Sequence, residues 1–318
     1  MEGVMMRGPK CTAITVRKTD GTLAYVTKPN KDPAKKHPWM GYPIVRGVVN
    51  FCVMLVEGMK TLTESADMAG MEAEEPTKFE KKMAEIFHVK PDDVMMASAV
   101  VLAIILAIGL FFALPITLEW LVKKVVRSEF LVNLIGGLIR ITVFLLYVFF
   151  CSRLKEIRRV FMYHGAEHKS IFCFEHGDEL TVENARKYTT LHPRCGTSFL
   201  MIVMIISILL FTLFSEIVGG VVNSNVFLRI VTKLALLPLV AGISYEVLKW
   251  LGRAEDTPIV KILKWPGLMT QKLTTAEPDD SMLEVALVSL KASLGYEKPL
   301  PESYYETPET HSEEAKEE

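Results

Sequence analysis

Residues 162–198 read MYHGAEHKSIFCFEHGDELTVENARKYTTLHPRCGTS, a polar stretch with a long apolar run on either side. The flanking runs, 130–151 and 198–218, each reach the ~20 residues that a helix needs to cross a hydrocarbon core. Two further runs of that length lie at 94–122 and 226–250. This alternation implies a mainly α membrane protein of about four transmembrane helices, with the polar segments gathered into a cytosolic cap. The polar stretch itself holds four of the seven histidines (His164, His168, His176, His192) and two of the five cysteines (Cys173, Cys195).

Its densest part is His164-Gly165-Ala166-Glu167-His168. On a helix, His164 and His168 are one turn apart and share a face, so both imidazoles can reach one metal ion. The order H-x-x-E-H is that of the inverted zincins, in which the glutamate is general base for a metal-bound water. Glu167 is therefore the candidate catalytic residue. Further along, His192-Pro193-Arg194-Cys195-Gly196 offers two more donors beside the next apolar run. The candidate metal ligands are His164 and His168, then His192 or Cys195, with Glu183 or Glu179 as a carboxylate option. Imidazole and thiolate donors suit a divalent metal, zinc first. Haem is disfavoured, because two histidines on one turn cannot bind opposite faces of one ring system. The bland alternative is a surface helix carrying two solvated histidines.

Composition supports the membrane reading. Half of the 318 residues are hydrophobic, and they are segregated into long uncharged runs. The net charge of −1 implies no nucleic-acid partner. The cysteines form no CxxC pair and read as reduced thiols. No secretory signal opens the chain, since residues 1–41 are polar.

In order, residues 1–42 form a cytosolic region whose alternating 11–28 stretch, turning at Asp20-Gly21, predicts a β-hairpin. Residues 43–93 hold an amphipathic or re-entrant helix, apolar only over 47–56, followed by a charged linker expected to be partly helical. Residues 94–151 carry the first two spans. Pro115 is expected to kink the first, and Gly136-Gly137 to allow close packing in the second. Arg140 lies mid-span and needs a carboxylate partner: Glu119, Glu216 or Glu246. Residues 152–197 are the polar loop. The second span is expected to run on as one helix through 154–159 into the His164 region, and Thr181 to cap a short helix. Residues 198–250 carry the last two spans. In 251–296, Trp265-Pro266-Gly267-Leu268 reads as an interfacial turn, and Pro278-Asp279-Asp280 as the start of a helix. Residues 297–318 read as a disordered acidic tail. Lysine and arginine concentrate before the first span, in 152–197 and after the fourth. The positive-inside bias thus places both termini in the cytoplasm of a multi-pass cell-membrane protein. The partners implied are the lipid bilayer and membrane-protein substrates or partners.

The whole chain resembles the YqhQ-like family of bacterial integral membrane proteins, which carry a domain of unknown function. The resemblance rests on Gly3-Val4-Met5-Met6-Arg7-Gly8-Pro9, on Tyr163-His164-Gly165-Ala166-Glu167-His168-Lys169, on Leu180-Thr181-Val182-Glu183-Asn184, on His192-Pro193-Arg194-Cys195-Gly196-Thr197-Ser198-Phe199, and on Pro266-Gly267-Leu268 with Glu277-Pro278 and Glu284-Val285-Ala286. It implies a metal-dependent enzyme, a description that draws on these same histidines. It also implies further glycine-rich residues ahead of Gly3. Two functional readings follow. One is a metal-dependent hydrolase or peptidase acting at the cytosolic membrane face. The other is a non-enzymatic protein, an assembly factor or a transporter-like bundle lined by Arg140. Its metal would then be structural, held by His164, His168, His192 and Cys195, or absent.

Overall fold

The computed structural model describes residues 2–30, 33, 37–68, 91–222, 226–255 and 257–301. Strands β1 (Gly3–Arg7), β2 (Cys11–Arg17) and β3 (Leu23–Pro29) form an antiparallel sheet in that order. After a short 3-10 turn come α1 (Val45–Met68), α2 (Pro91–Ile108), a π-helical turn (Gly109–Ala113), α3 (Leu114–Lys123) and α4 (Glu129–Cys151). The polar region supplies α5 (Lys155–Glu175) and α6 (Val182–Arg186). Then follow α7 (Gly196–Val222), α8 (Val226–Leu251), α9 (Pro258–Thr274) and α10 (Asp280–Leu294).

The expected hairpin is present, but Arg17 pairs with Leu23, so residues 18–22 form a longer connection than a two-residue turn. Asp20 accepts hydrogen bonds from the amide and hydroxyl of Thr22, and Gly21 supplies the positive φ of +87°. The sheet gains β1, whose alternation is masked in the run Val4-Met5-Met6: Val4 and Met6 are buried and Met5 is exposed. Helix α10 is the centre of the cap. Asp279 caps it by accepting from the Met282 amide (3.0 Å), and Gly295 ends it in a left-handed conformation. Met282, Leu283, Val285, Ala286, Leu287, Val288 and Leu290 are all buried, because β1, β2, α5 and α6 surround it. Ser289 Oγ lies 3.2 Å from the carbonyls of both Val4 and Ala13, which pins the helix to the sheet. Beyond Gly295, Pro299 is buried, and residues 302–318 lie outside the described residues.

Three helical stretches among the described residues are long and apolar enough to cross a membrane: Val100–Lys123, Phe130–Cys151 and Gly196–Phe214. Helix α8 forms over the expected fourth span and packs along α7. Of the charged linker, residues 69–90 lie outside the described residues. Ahead of Pro115 the chain takes a wide turn, with the Leu114 amide donating to Gly109 O. A proline has no amide to offer the preceding turn, and a π-turn absorbs that mismatch. Gly137 lets α7 close in, since a Cβ there would lie 2.5 Å from Ile208 Cγ1. Arg140 pairs with Glu119 at 2.8 Å. Glu246 is taken instead by Arg46 at the start of α1, and the Glu216 side chain lies outside the described residues. Helix α1 packs on α8 and β2, and its Glu57 and Glu64 reach Arg7 and Lys28 of the sheet. Met54, Leu55, Val56 and Met59 stay exposed on it.

Two expectations are corrected. The second span does not run on into the histidine region. Ser152 Oγ donates to the Phe149 carbonyl (2.7 Å) and Leu154 is extended, so α4 ends and α5 starts afresh. A serine bonded back to its own helix competes with continuation. Trp265-Pro266-Gly267-Leu268 is not a turn either; it lies inside α9. The missing amide of Pro266 removes one helical bond, while Thr270 Oγ1 donates to the Pro266 carbonyl (3.0 Å). A Cβ at Gly267 would sit 2.7 Å from Ser198 Oγ, so this glycine serves the contact with α7. Tertiary packing outweighs the local breaker signal.

Glu119→Gln should strand the Arg140 guanidinium in an apolar bundle, where an unpaired charge is disfavoured by about 2.5–3.5 kcal/mol or more. The melting temperature of detergent-purified protein is expected to fall, and the double substitution Glu119→Gln/Arg140→Leu to recover most of the loss. A double variant no more stable than the single one would contradict the pairing.

Candidate metal centre

Helix α5 presents two stripes. Tyr163, Ala166, Ser170 and Cys173 are buried at a 3–4 residue spacing, and the apolar members of the stripe join the cap core. The adjoining stripe carries His164, Glu167 and His168. Gly165 stands between them because the segment after α9 crosses the helix there. A Cβ at Gly165 would lie 2.2 Å from the Ala276 carbonyl, and the Ala276 amide donates to Phe161 O (2.9 Å). That crossing brings the end of α9 to the histidines.

The Nδ1 of His164 meets the Thr274 carbonyl at 2.8 Å, and the Nδ1 of His168 meets the Thr190 carbonyl. A carbonyl only accepts, so Nδ1 carries the proton in both rings and both Nε2 lone pairs are left open. The Nε2 of His164 lies 3.1 Å from Cys195 Sγ. Donor atoms of His164, His168 and Cys195 all lie within 4.8 Å of one another. Imidazoles oriented by a carbonyl on the opposite nitrogen are the usual outer support of metal ligands. Three such donors leave one tetrahedral position open. The sulfur of Cys195 is also met by the Thr197 amide (3.4 Å) and the Thr197 hydroxyl (3.2 Å) at the start of α7.

The other expected ligands fall differently. The His192 ring stands 5.7 Å from that of His168 but outside the three-donor set. Its Nδ1 accepts from the Arg194 amide (3.3 Å), and its Nε2 faces Glu175 Oε2 (3.4 Å). Burial holds its pKa below the ordinary imidazole range, with Glu175 opposing. Glu183 is exposed in the first turn of α6, capped as expected by Thr181, and does not join the cluster; Glu179 is likewise exposed. A carboxylate one turn along a short surface helix is fixed by its own cap, not by the histidines. Glu167 has no hydrogen bond or salt bridge among the described residues. Desolvation pushes its carboxyl pKa up, while His164 pulls the other way.

The residues that sequence reasoning passed over are those that hold the donors. Gln271, fully buried on α9, accepts from the His192 amide and donates to the His192 carbonyl, each at 2.8 Å, and also lies 2.8 Å from Ser198 Oγ. Glu175 grips His192 and Arg194 together. A glutamine within an amphipathic run carries no motif, and the Thr190 and Thr274 carbonyls carry no sequence signal at all.

A family model described as "Protein of unknown function (DUF1385)" matches residues 42–296. The chain belongs to this family. It is 32% identical to the uncharacterized protein YqhQ of Bacillus subtilis (strain 168), over 93% of this chain and 91% of that protein. No solved structure matches the chain.

Gln271→Leu should leave the His192 amide buried without a partner and its carbonyl with the Cys195 amide alone (3.3 Å), at about 1–3 kcal/mol for the unmet group. The readout is a lower melting temperature together with weaker metal retention; an unchanged melting temperature would remove the clamp. Glu167 carries the opposite sign. Its pKa is raised on folding, so the cost of its charge sets in as pH rises through the usual carboxylate value of about 4.3. In chelator-treated protein, Glu167→Gln is expected to raise stability at pH 7 and to change little near pH 4. A loss of stability at pH 7 would show that the carboxylate makes a stabilising contact.

Proposed function

We propose that this chain is a membrane-embedded, metal-dependent hydrolase that works where the cap meets the bilayer. His164, His168 and Cys195 hold the ion, and zinc suits that donor set best. The observation that carries this reading is the convergence of donor atoms of His164, His168 and Cys195 within 4.8 Å of one another, with the Nδ1 of each histidine facing a carbonyl and the Nε2 of His164 facing the sulfur. Zinc in such a site supplies Lewis acidity and a water that ionises near neutral pH. Glu167 sits one turn from His164 with a desolvated carboxyl, a setting that tunes a general base towards neutral pH. It takes the proton from the attacking water and returns it to the leaving group.

Topology agrees with four crossings. The chain leaves the cap into α7 and re-enters it from α8 into α9, so if α7 crosses, α8 must cross back. Helix α1, tied to the sheet by Glu57 and Glu64, lies along the cap at the interface. The positive-inside bias then puts cap and termini in the cytoplasm of a multi-pass cell-membrane protein.

A second reading keeps the metal but closes the site. Rotation of His192, whose ring already neighbours that of His168, would add a fourth ligand and make a structural centre in an assembly factor or a transporter-like bundle. One comparison separates the two. Metal content of wild type, His164→Ala/His168→Ala and Glu167→Gln is measured by elemental analysis, alongside turnover of peptide and ester probes. The hydrolase predicts near-stoichiometric metal in wild type and Glu167→Gln, its loss in the double variant, and about a 100-fold or greater fall in turnover for Glu167→Gln. Metal that needs His192, with Glu167→Gln indistinguishable from wild type, would favour the structural centre. Metal-free wild type after reloading would sink both.

A further inference from the structure

Where α8 ends against the turn that carries Cys195, a cavity of 340 Å³ is lined by Arg194, Tyr245, Leu248, Lys249, Gly252 and Arg253. Three cations line it and no carboxylate does. Glu175 holds Arg194 from α5, and Glu246, one turn back on α8, attracts Lys249 while paired with Arg46, but neither Lys249 nor Arg253 has a salt bridge among the described residues. These two stand four residues apart at a helix end, where like charges repel and an anion between them would relieve the cost. Gly252 makes the convergence sterically feasible: a Cβ there would lie 2.8 Å from Arg194 Cγ, so the arginine stem lies directly on the end of α8. The Tyr245 hydroxyl already accepts from Asn50 Nδ2 (3.0 Å), which leaves its own hydrogen to donate.

The surroundings indicate the level in the membrane. Trp250 is exposed beside the cavity, and the next helix, α9, exposes Ile259, Ile262, Leu263 and Trp265 around Lys261. An exposed tryptophan followed by an apolar face with cations is the composition of a headgroup-level surface. The C-terminal half of α9 carries Gln271 and Thr274, which hold His192 and His164.

We infer that this cavity binds the phosphate headgroup of an anionic membrane lipid and thereby sets the substrate class of the neighbouring centre. The inference rests on the hydrolase reading above for its second half only. Arg194 adjoins Cys195 in the chain, so a headgroup held by Arg194, Lys249 and Arg253 is tethered next to the donor set. Guanidinium and ammonium groups bind phosphate by charge-assisted hydrogen bonds. The rest of the lipid would extend along the exposed apolar face of α9.

The test uses the full chain in a neutral detergent, titrated by calorimetry with soluble dihexanoyl phosphatidic acid, dihexanoyl phosphatidylcholine and inorganic phosphate. Metal content is read on the same samples. Saturable binding of phosphatidic acid, weakened about tenfold or more by Lys249→Ala/Arg253→Ala and preserved by Lys249→Arg/Arg253→Lys, supports the pocket. Equal affinity in the alanine variant, or phosphatidylcholine binding as tightly as phosphatidic acid, overturns it. Inorganic phosphate binding as tightly as the lipid overturns the lipid as the source of the anion. Should the alanine variant fail to fold, protection of Lys249 from amine acylation in the wild type replaces it, and absence of protection by phosphatidic acid counts against the pocket. Metal retained without lipid binding removes this inference and leaves the hydrolase standing; lipid binding without metal does the reverse.

Discussion

One buried carboxamide determines where the sulfur of the candidate centre can be. Gln271 holds both backbone polar groups of His192 and the hydroxyl of Ser198, so the turn between them has no freedom to slide along α9. Cys195 lies within that turn. The histidines approach from another element, α5, and His164 is tied to the same helix through the Thr274 carbonyl. Helix α9 is thus the common reference for donors that come from opposite sides of the polar stretch. Buried polar groups satisfied this fully specify one geometry, because every displacement leaves an amide or a carbonyl without water or partner.

Much of this was legible in the chain. The apolar runs are long and uncharged enough that α4 and α7 follow from length alone. The hairpin and the Thr181 and Asp279 caps follow from local chemistry; the sequence leaves three carboxylates open to Arg140, and donor type and spacing single out His164 and His168 while leaving His192 and Cys195 as alternatives for the third donor. What escaped has a common cause. The break before α5, the passage of α9 through Pro266 and the clamp at Gln271 are all decided by contacts between distant segments. Gly165 shows this well. Read locally it weakens a helix; in the fold it is the one side chain small enough for the Ala276 carbonyl to pass. Glu183 errs in the other direction, since a carboxylate at the right chemical address is held away by its own short helix.

The two halves of α9 divide the work of the molecule. The C-terminal half carries Gln271 and Thr274 and meets Ser198; the N-terminal half, with Ile259, Ile262, Leu263 and Trp265, is largely an exposed apolar surface.

The cap also has a history written into it. Ser289 bonds to Val4 across 285 residues of sequence, and the buried faces of β1 and β2 find their helix only in α10. As the chain emerges from the ribosome, those strands are made first and their partner nearly last, after the long apolar helices. The sheet must wait with its apolar face uncovered, and contacts of such long range close slowly. Closure of the cap therefore comes only once the apolar helices have been made. A chain cut short before α10 would leave that face uncovered, with the candidate cluster's donors already made but the core beneath them missing.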